Sequence, residues 1–259
     1  MSETHKNPAR RPALRDFLYL CIRNMSYGRI ILFPSFLAPG APDNVLPRRN
    51  VELLRTVRYF VVEELRTARR FIKACDRSID IDSLHFEVLN EHTAPEEVDA
   101  MLRPALEGFD IGVVSEAGCP AVADPGADLV AAAQRRGLEV LPLVGPSSIL
   151  MSLMASGFNG QSFTFRGYLP VDARARSAAF RDMESEIRRH RTTQIFIETP
   201  YRNQKLLQDL TATLPADMLL CVAVDITGEN QSIITRSIAA WKAAKAAIPK
   251  VPAIFLLYS

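Results

Sequence analysis

A chain of 259 residues, 48% hydrophobic and 23% charged, can bury a sizeable core as one large domain or as two of roughly 100–150 residues. Its formal charge of +2 gives no overall field for nucleic acid, so any basic surface must be local. Cys21, Cys75, Cys119 and Cys221 lie far apart without metal-ligand or disulfide spacing, and no apolar run reaches the roughly 18 residues of a membrane span, which points to a cytoplasmic enzyme with reduced thiols and no metal.

Residues 1–27 read as an N-terminal extension holding at most one short amphipathic helix at 14–25. A strand is expected at 29–33, where Pro34 stops it, followed by a long loop at 35–47 rich in proline. A helix at 48–56 would turn Val51 and Leu54 inward, and a second strand follows at 59–62. Next, Glu64 and Arg66 fall at a strand end and Arg69 and Arg70 on the following helix. That pattern fits either a solvated helix face or a rim that attracts anions. A strand at 84–89, one helix at 95–107 and a strand at 110–114 complete this part.

The strand at 110–114 ends in Ser115-Glu116-Ala117-Gly118-Cys119-Pro120, and Asp124-Pro125-Gly126 reads as a helix start with Asp124 capping free N–H groups. This connection is longer than the roughly 2–6 residues that a strand-to-helix link needs. A similar turn, Gly145-Pro146-Ser147-Ser148, follows the next strand at 138–144 and opens a helix at 149–156. Two adjacent strand ends presenting Gly, Pro and Ser make a pocket floor, and in open α/β sheets ligands bind outside the carboxyl ends of the strands.

After residue 157 a second α/β unit is expected. It comprises strands at 163–169, 193–197, 218–225, 231–235 and 253–258 and helices at 172–190, 203–213 and 237–247. Antiparallel pairing is expected where residues 226–230 alone join two strands, and Trp241 reads as core or interface. Arginines at Arg174, Arg176, Arg181, Arg188, Arg189 and Arg191 give the helix at 172–190 a basic character. The four histidines share no motif that would activate Cys119 as a nucleophile.

Four linked motifs, Ser115 to Pro120 with Asp124-Pro125-Gly126, Gly145 to Ser148, Phe165-Arg166-Gly167-Tyr168-Leu169-Pro170 and Glu198-Thr199-Pro200-Tyr201-Arg202, resemble the tetrapyrrole methylase superfamily in order and spacing. Within it they most resemble the branch that methylates a cytidine ribose 2'-oxygen of small-subunit ribosomal RNA. The resemblance covers roughly residues 28–259. It implies two α/β domains, here 28–143 and 144–259, with S-adenosylmethionine in the cleft between them, and a homodimer. The loop at Pro34 to Gly40 and the segment Glu63-Glu64-Leu65-Arg66-Thr67 both depart from that branch, on the side expected to meet the acceptor.

Methyl transfer from a sulfonium is an in-line displacement, so such an enzyme aligns donor and acceptor and excludes water. The expected cofactor contacts are Ser115, Glu116, Ala117, Gly118, Cys119, Pro120, Val122, Asp124, Pro146, Ser147 and Ser148, with Glu198, Tyr201 and Ala223 completing the pocket by resemblance. Ser35, Glu64, Arg66 and Arg69 are the expected acceptor contacts, and Glu64 and Glu198 are candidates for a general base. Three functions remain open: a methyltransferase acting on RNA, one acting on a tetrapyrrole or other small anionic acceptor, or a cofactor-binding protein without turnover.

Overall fold

A computed structural model describes residues 27–40 and 42–259; the helix expected at 14–25 lies outside them. The first half is a parallel sheet of β1 (Ile30–Phe33), β2 (Tyr59–Val62), β3 (His85–Val88), β4 (Ile111–Val114) and β5 (Val140–Pro142), in the order β3-β2-β4-β1-β5. Its central strands are continuous apolar runs because both faces are covered. Alternate residues take opposite sides. Ile31, Phe33, Phe60, Val62 and Val114 pack with helices α1 (Arg48–Leu54) and α2 (Leu65–Cys75). Ile30, Val61, Ile111 and Val113 pack with α3 (Pro95–Ala100), α4 (Arg103–Leu106) and α5 (Gly126–Arg135).

The second half is a mixed sheet of β6 (Phe163–Tyr168), β7 (Thr193–Glu198), β8 (Leu219–Val224), β9 (Ser232–Ser237) and β10 (Ala253–Tyr258), in the order β6-β7-β10-β8-β9. β6 and β7 run parallel, while β10 lies antiparallel between β7 and β8, and β9 pairs antiparallel with β8. On one face Phe196, Leu220, Val222 and Phe255 pack with α7 (Ala173–His190), α8 (Asn203–Thr213) and α9 (Ile238–Ala244). On the other, Ile195, Cys221, Ala223, Ile254 and Leu256 pack with Leu153 of α6 (Ser148–Ser156) and with Leu37. Leu37 comes from the loop after β1, so this loop reaches into the core of the second half. Trp241 is core, its indole N–H donating to the Leu220 carbonyl at 2.8 Å.

Four sequence expectations need correction. The helix at 95–107 is two short helices, because Pro104 has no N–H to donate to an uninterrupted ladder and starts a fresh turn instead. The strand expected at 138–144 is short and ends at Pro142. On α1 the fully inward residues are Leu54 and Asn50 rather than Val51; Asn50 Nδ2 donates to the Val144 carbonyl at 2.8 Å, which makes its burial tolerable. The two small-residue turns also do not leave adjacent strands: β1 lies between β4 and β5.

Candidate active site

That interposed strand sets the geometry of the site. With Phe33 opposite Val114, the loop after β1 runs beside the loop after β4, and the Ser35 N–H donates to the Gly118 carbonyl at 2.8 Å. On the other flank, a Cβ at Gly145 would run into the Pro34 ring, so glycine lets the turn after β5 close on the same loop. The Cys119 thiol reaches the Pro146 carbonyl at 3.4 Å and joins the two outer loops directly. Ser35, Gly118, Cys119 and Pro146 are thereby gathered above three parallel strand ends.

The loop from Ser115 to Pro125 is bent tightly enough to place Gly118 at φ 76°, Ala121 at 65° and Ala123 at 55°. Asp124 holds this shape, its Oδ1 accepting the N–H groups of Ala121 at 2.9 Å and Gly126 at 2.8 Å. The expected cap at the start of α5 is therefore present, though Pro125 rather than Asp124 occupies the N-cap position. Ser147 caps α6 by accepting from Leu150 N, and Ser148 is its first residue. Glu116, Ala117 and Val122 are exposed, whereas Gly118 and Pro120 are buried and Cys119 is half-buried. Burial pushes the Cys119 thiol up in pKa, which suits packing and hydrogen bonding rather than nucleophilic attack.

Two observations fit a ligand bound through backbone and small polar groups. The Ser35 and Ser115 hydroxyls are buried, with 3% and 5% of each residue exposed, and neither finds a partner among the described residues. Such orphans are uncommon in a folded chain and collect where another molecule completes the bonding. In addition, Gly118 combines a φ of 76° with a Cβ position 3.0 Å from Leu37 Cδ2, so glycine fits this close passage without strain. Free N–H groups at the start of α6 offer a seat for a carboxylate. No group of three or more His, Cys, Asp or Glu able to hold a metal occurs among the described residues.

The residues expected from the second half divide by role. Ala223 is fully buried on the sheet face that packs against Leu37 and α6, a wall rather than a polar contact. Glu198 is buried at the end of β7, with Oε1 accepting from Thr199 N at 2.7 Å and from Arg202 Nε and Nη2 at 2.9 and 2.6 Å. Its carboxylate is thus committed to an ion pair. Tyr201 is 83% exposed beside it.

On the acceptor side, Glu64 is the N-cap of α2, its two oxygens accepting from Arg66 N at 2.9 Å and Thr67 N at 2.6 Å. These bonds hold the Glu64 carboxyl below the usual range; Glu64 is engaged by its cap and Glu198 by Arg202. Arg66, Arg69 and Arg70 are exposed on α2 around an open depression of about 460 Å³, with Lys73 a turn further on. Lys73 spends its ammonium on the carbonyls of Arg77 and Ile79, and Arg69 lies over the Phe86 ring at 5.5 Å. The α7 arginines sit differently. Arg176 pairs with Asp209 and Arg188 with Glu184, on the helix that covers the sheet face opposite Leu37 and α6.

Sequence reasoning passed over Glu63. It is the first residue beyond β2, and because Val62 stands opposite Val114 its side chain meets the start of the loop, Oε2 accepting from Glu116 N at 3.1 Å. The available signal was its place at the carboxyl end of an apolar strand, one residue before a better-placed capping carboxylate.

The model of the Tetrapyrrole (Corrin/Porphyrin) Methylases matches residues 37–240. A protein of Vibrio cholerae named ribosomal RNA small subunit methyltransferase I is 30% identical over 200 residues, covering 76% of this chain and 66% of its own length. One of the same name from Xylella fastidiosa is 31% identical over 194 residues, covering 75% of this chain and 68% of its own. The chain thus spans about two thirds of the length of these relatives. Among solved structures, the methyltransferase CobJ superposes with a TM-score of 0.58 at 17% identity, over 90% of this chain and 99% of that one. A uroporphyrin-III C-methyltransferase from Thermus thermophilus complexed with S-adenosylhomocysteine gives 0.54 at 16%, over 90% and 98%. At such identity the likeness concerns the fold. With the family match across most of its length, this chain belongs to the tetrapyrrole (corrin/porphyrin) methylases, methyltransferases whose donor is S-adenosylmethionine.

Proposed function

We propose that this methyltransferase acts on ribosomal RNA, at the ribose 2'-oxygen of a cytidine, in the cytoplasm and as a homodimer. The observation that carries the RNA reading is local charge: α2 starts at the strand end beside the Ser115 loop and exposes Arg66, Arg69 and Arg70 along one side, although the whole chain carries only +2. A stripe of guanidinium groups beside a cofactor cleft is suited to the phosphates of a strand whose sugar lies over that cleft. The names of its sequence relatives support the same substrate. The two domains are read as residues 28–143 and 144–259, with the cofactor between them.

In this reading the Ser115–Asp124 loop and the Pro146–Ser148 turn hold the donor, with Ala223 as a wall and Glu198 fixing the Tyr201 loop through Arg202. Ser35 lies between them, its N–H bonded to the Gly118 carbonyl of the donor loop, so its buried hydroxyl is read as an acceptor contact. The chain's work is alignment and exclusion of water, which is sufficient for an in-line displacement. A labelled-methyl assay on total RNA against a small-molecule extract tests the reading. Label in small-subunit RNA that falls steeply with salt supports it, and label confined to the small-molecule fraction overturns it.

A further inference from the structure

Tyrosines stand at the carboxyl ends of two neighbouring parallel strands of the second sheet, and both are exposed: Tyr168 closes β6 at 61% and Tyr201 follows β7 at 83%. Rings of this size left in water gain nothing for the fold, and large exposed apolar groups gathered at one edge mark a contact surface. Each ring is held in place by its own local device.

A bulge aims Tyr168. Phe165 stands opposite Ile195, but the next pair is Tyr168 opposite Ile197, so β6 advances three residues while β7 advances two. Gly167, at φ 64° with open space around its Cβ position, takes up the bend. Side chains alternate between faces, so without the extra residue Tyr168 would lie opposite Glu198 and point to the other side of the sheet. With it, Tyr168 shares the face of Phe165, Ile195 and Ile197, which packs against Leu37 and α6. Leu169, the next residue, returns to the α7 side. Because Leu37 lies two residues from Ser35, Tyr168 is turned toward the face that meets the Ser35 loop.

Tyr201 is fixed by its neighbours. The Glu198 carboxylate accepts from Thr199 N and from Arg202, and Arg202 N donates to the Thr199 carbonyl at 2.9 Å. Both ends of this turn are tied down, and the ring between them stays in solvent. With the Arg202 guanidinium engaged by Glu198, the turn presents an aromatic face more than a charge.

We propose that Tyr168 and Tyr201 form a stacking platform for unpaired bases of the RNA strand that delivers the acceptor nucleotide. The inference rests on the RNA reading of the proposed function. Recognition of single strands uses π faces held rigidly beside the reacting site, and both rings meet that description. Arg66, Arg69 and Arg70 of α2 offer charge to phosphates, while the ends of β6 and β7 offer rings to bases. A single strand can use both surfaces; a duplex keeps its bases stacked inside and reaches only the arginines. Tyr201, expected from the resemblance beside the cofactor, thereby serves the acceptor.

The test is fluorescence anisotropy of the full chain on a labelled oligocytidylate of about 12 nucleotides and on a fully paired RNA duplex, each across a salt series. Tyr168→Leu and Tyr201→Leu keep apolar bulk but remove the π face. Each should weaken oligocytidylate binding by roughly tenfold with the salt slope unchanged, since no phosphate contact is lost. Tyr168→Phe and Tyr201→Phe should bind like the unsubstituted protein, and duplex binding should not respond to any of these changes. Unaltered oligocytidylate affinity in both leucine variants overturns the platform, as does an equal loss on the duplex. Calorimetry with S-adenosylhomocysteine separates the roles of Tyr201: affinity kept in Tyr201→Leu supports the platform, and a loss matching that for RNA assigns the ring to the cofactor and overturns it. Should a leucine variant fail to fold, photocross-linking of the unsubstituted protein to a thiouridine-bearing strand decides, with adducts expected at Tyr168 and Tyr201 and adducts confined to α2 overturning the platform. If the unsubstituted protein binds neither RNA, the RNA reading falls as well; single-strand binding that survives the leucine variants removes the platform alone.

Discussion

Ser35 and Ser115 follow two neighbouring parallel strands, and each buries a hydroxyl that meets no hydrogen-bond partner among the described residues. An unmet buried hydroxyl costs about 1–3 kcal/mol, which a ligand contact would recover. Ser115→Ala should therefore leave the free protein as stable or up to about 1 kcal/mol more stable, while weakening S-adenosylhomocysteine several-fold. Melting curves with and without the ligand check this; a loss of stability in the free protein would make the hydroxyl part of the protein's own bonding.

Gly118 is at φ 76° with Leu37 Cδ2 only 3.0 Å from where a Cβ would stand. Gly118→Ala should cost about 1–2 kcal/mol of stability through the left-handed backbone and reduce cofactor affinity more than Ser115→Ala does. Gly118→Val adds a branched side chain to the same strain and should abolish binding. Calorimetry beside circular dichroism separates the two effects.

Arg69→Gln with Arg70→Gln should weaken RNA binding and lower the salt slope by about 2, since each removed phosphate contact removes about one counterion. Arg174→Gln with Arg181→Gln, on the helix covering the far face of the second sheet, should leave both unchanged. Filter binding across a salt series reads the difference.

Arg176 and Asp209 form a half-buried ion pair at 2.5 Å between α7 and α8, to which Lys205 adds a second bond at 2.7 Å. Burial works against ionisation of Asp209, yet the Lys205 and Arg176 bonds hold its carboxyl below the ordinary range. A carboxyl depressed on folding lends stability above its unfolded pKa, near about 4, and loses it as pH falls through the folded value. Arg176→Ala should thus cost about 1–3 kcal/mol at neutral pH, and the gap to the unsubstituted protein should narrow below about pH 4. Thermal melts at several pH values check this, with cofactor affinity unchanged.

Local pattern made much of this fold readable. The helix Asn203–Thr213 and the strand Ala253–Tyr258 follow directly from apolar periodicity bounded by breakers, and the two small-residue turns mark the strand ends beside the proposed site. What stayed hidden depends on partners distant along the chain. The placement of β1 between β4 and β5 comes from pairing across the sheet, which no window of sequence contains. Asn50 looks like a surface residue until the Val144 carbonyl comes within 2.8 Å, and Glu63 looks like one more charge ahead of a helix until Glu116 folds back onto it. The sequence shows only the basic character of α7, because the partners of Arg176 and Arg188 on other elements, Asp209 and Asp217, cannot be assigned to them in advance.

Leu37 belongs by chain to the first sheet's loops and by packing to the second sheet's core, two residues from Ser35 and its bond to the Gly118 carbonyl. One short loop thereby ties the placement of Gly118 in the first half to the packing of the second half's core.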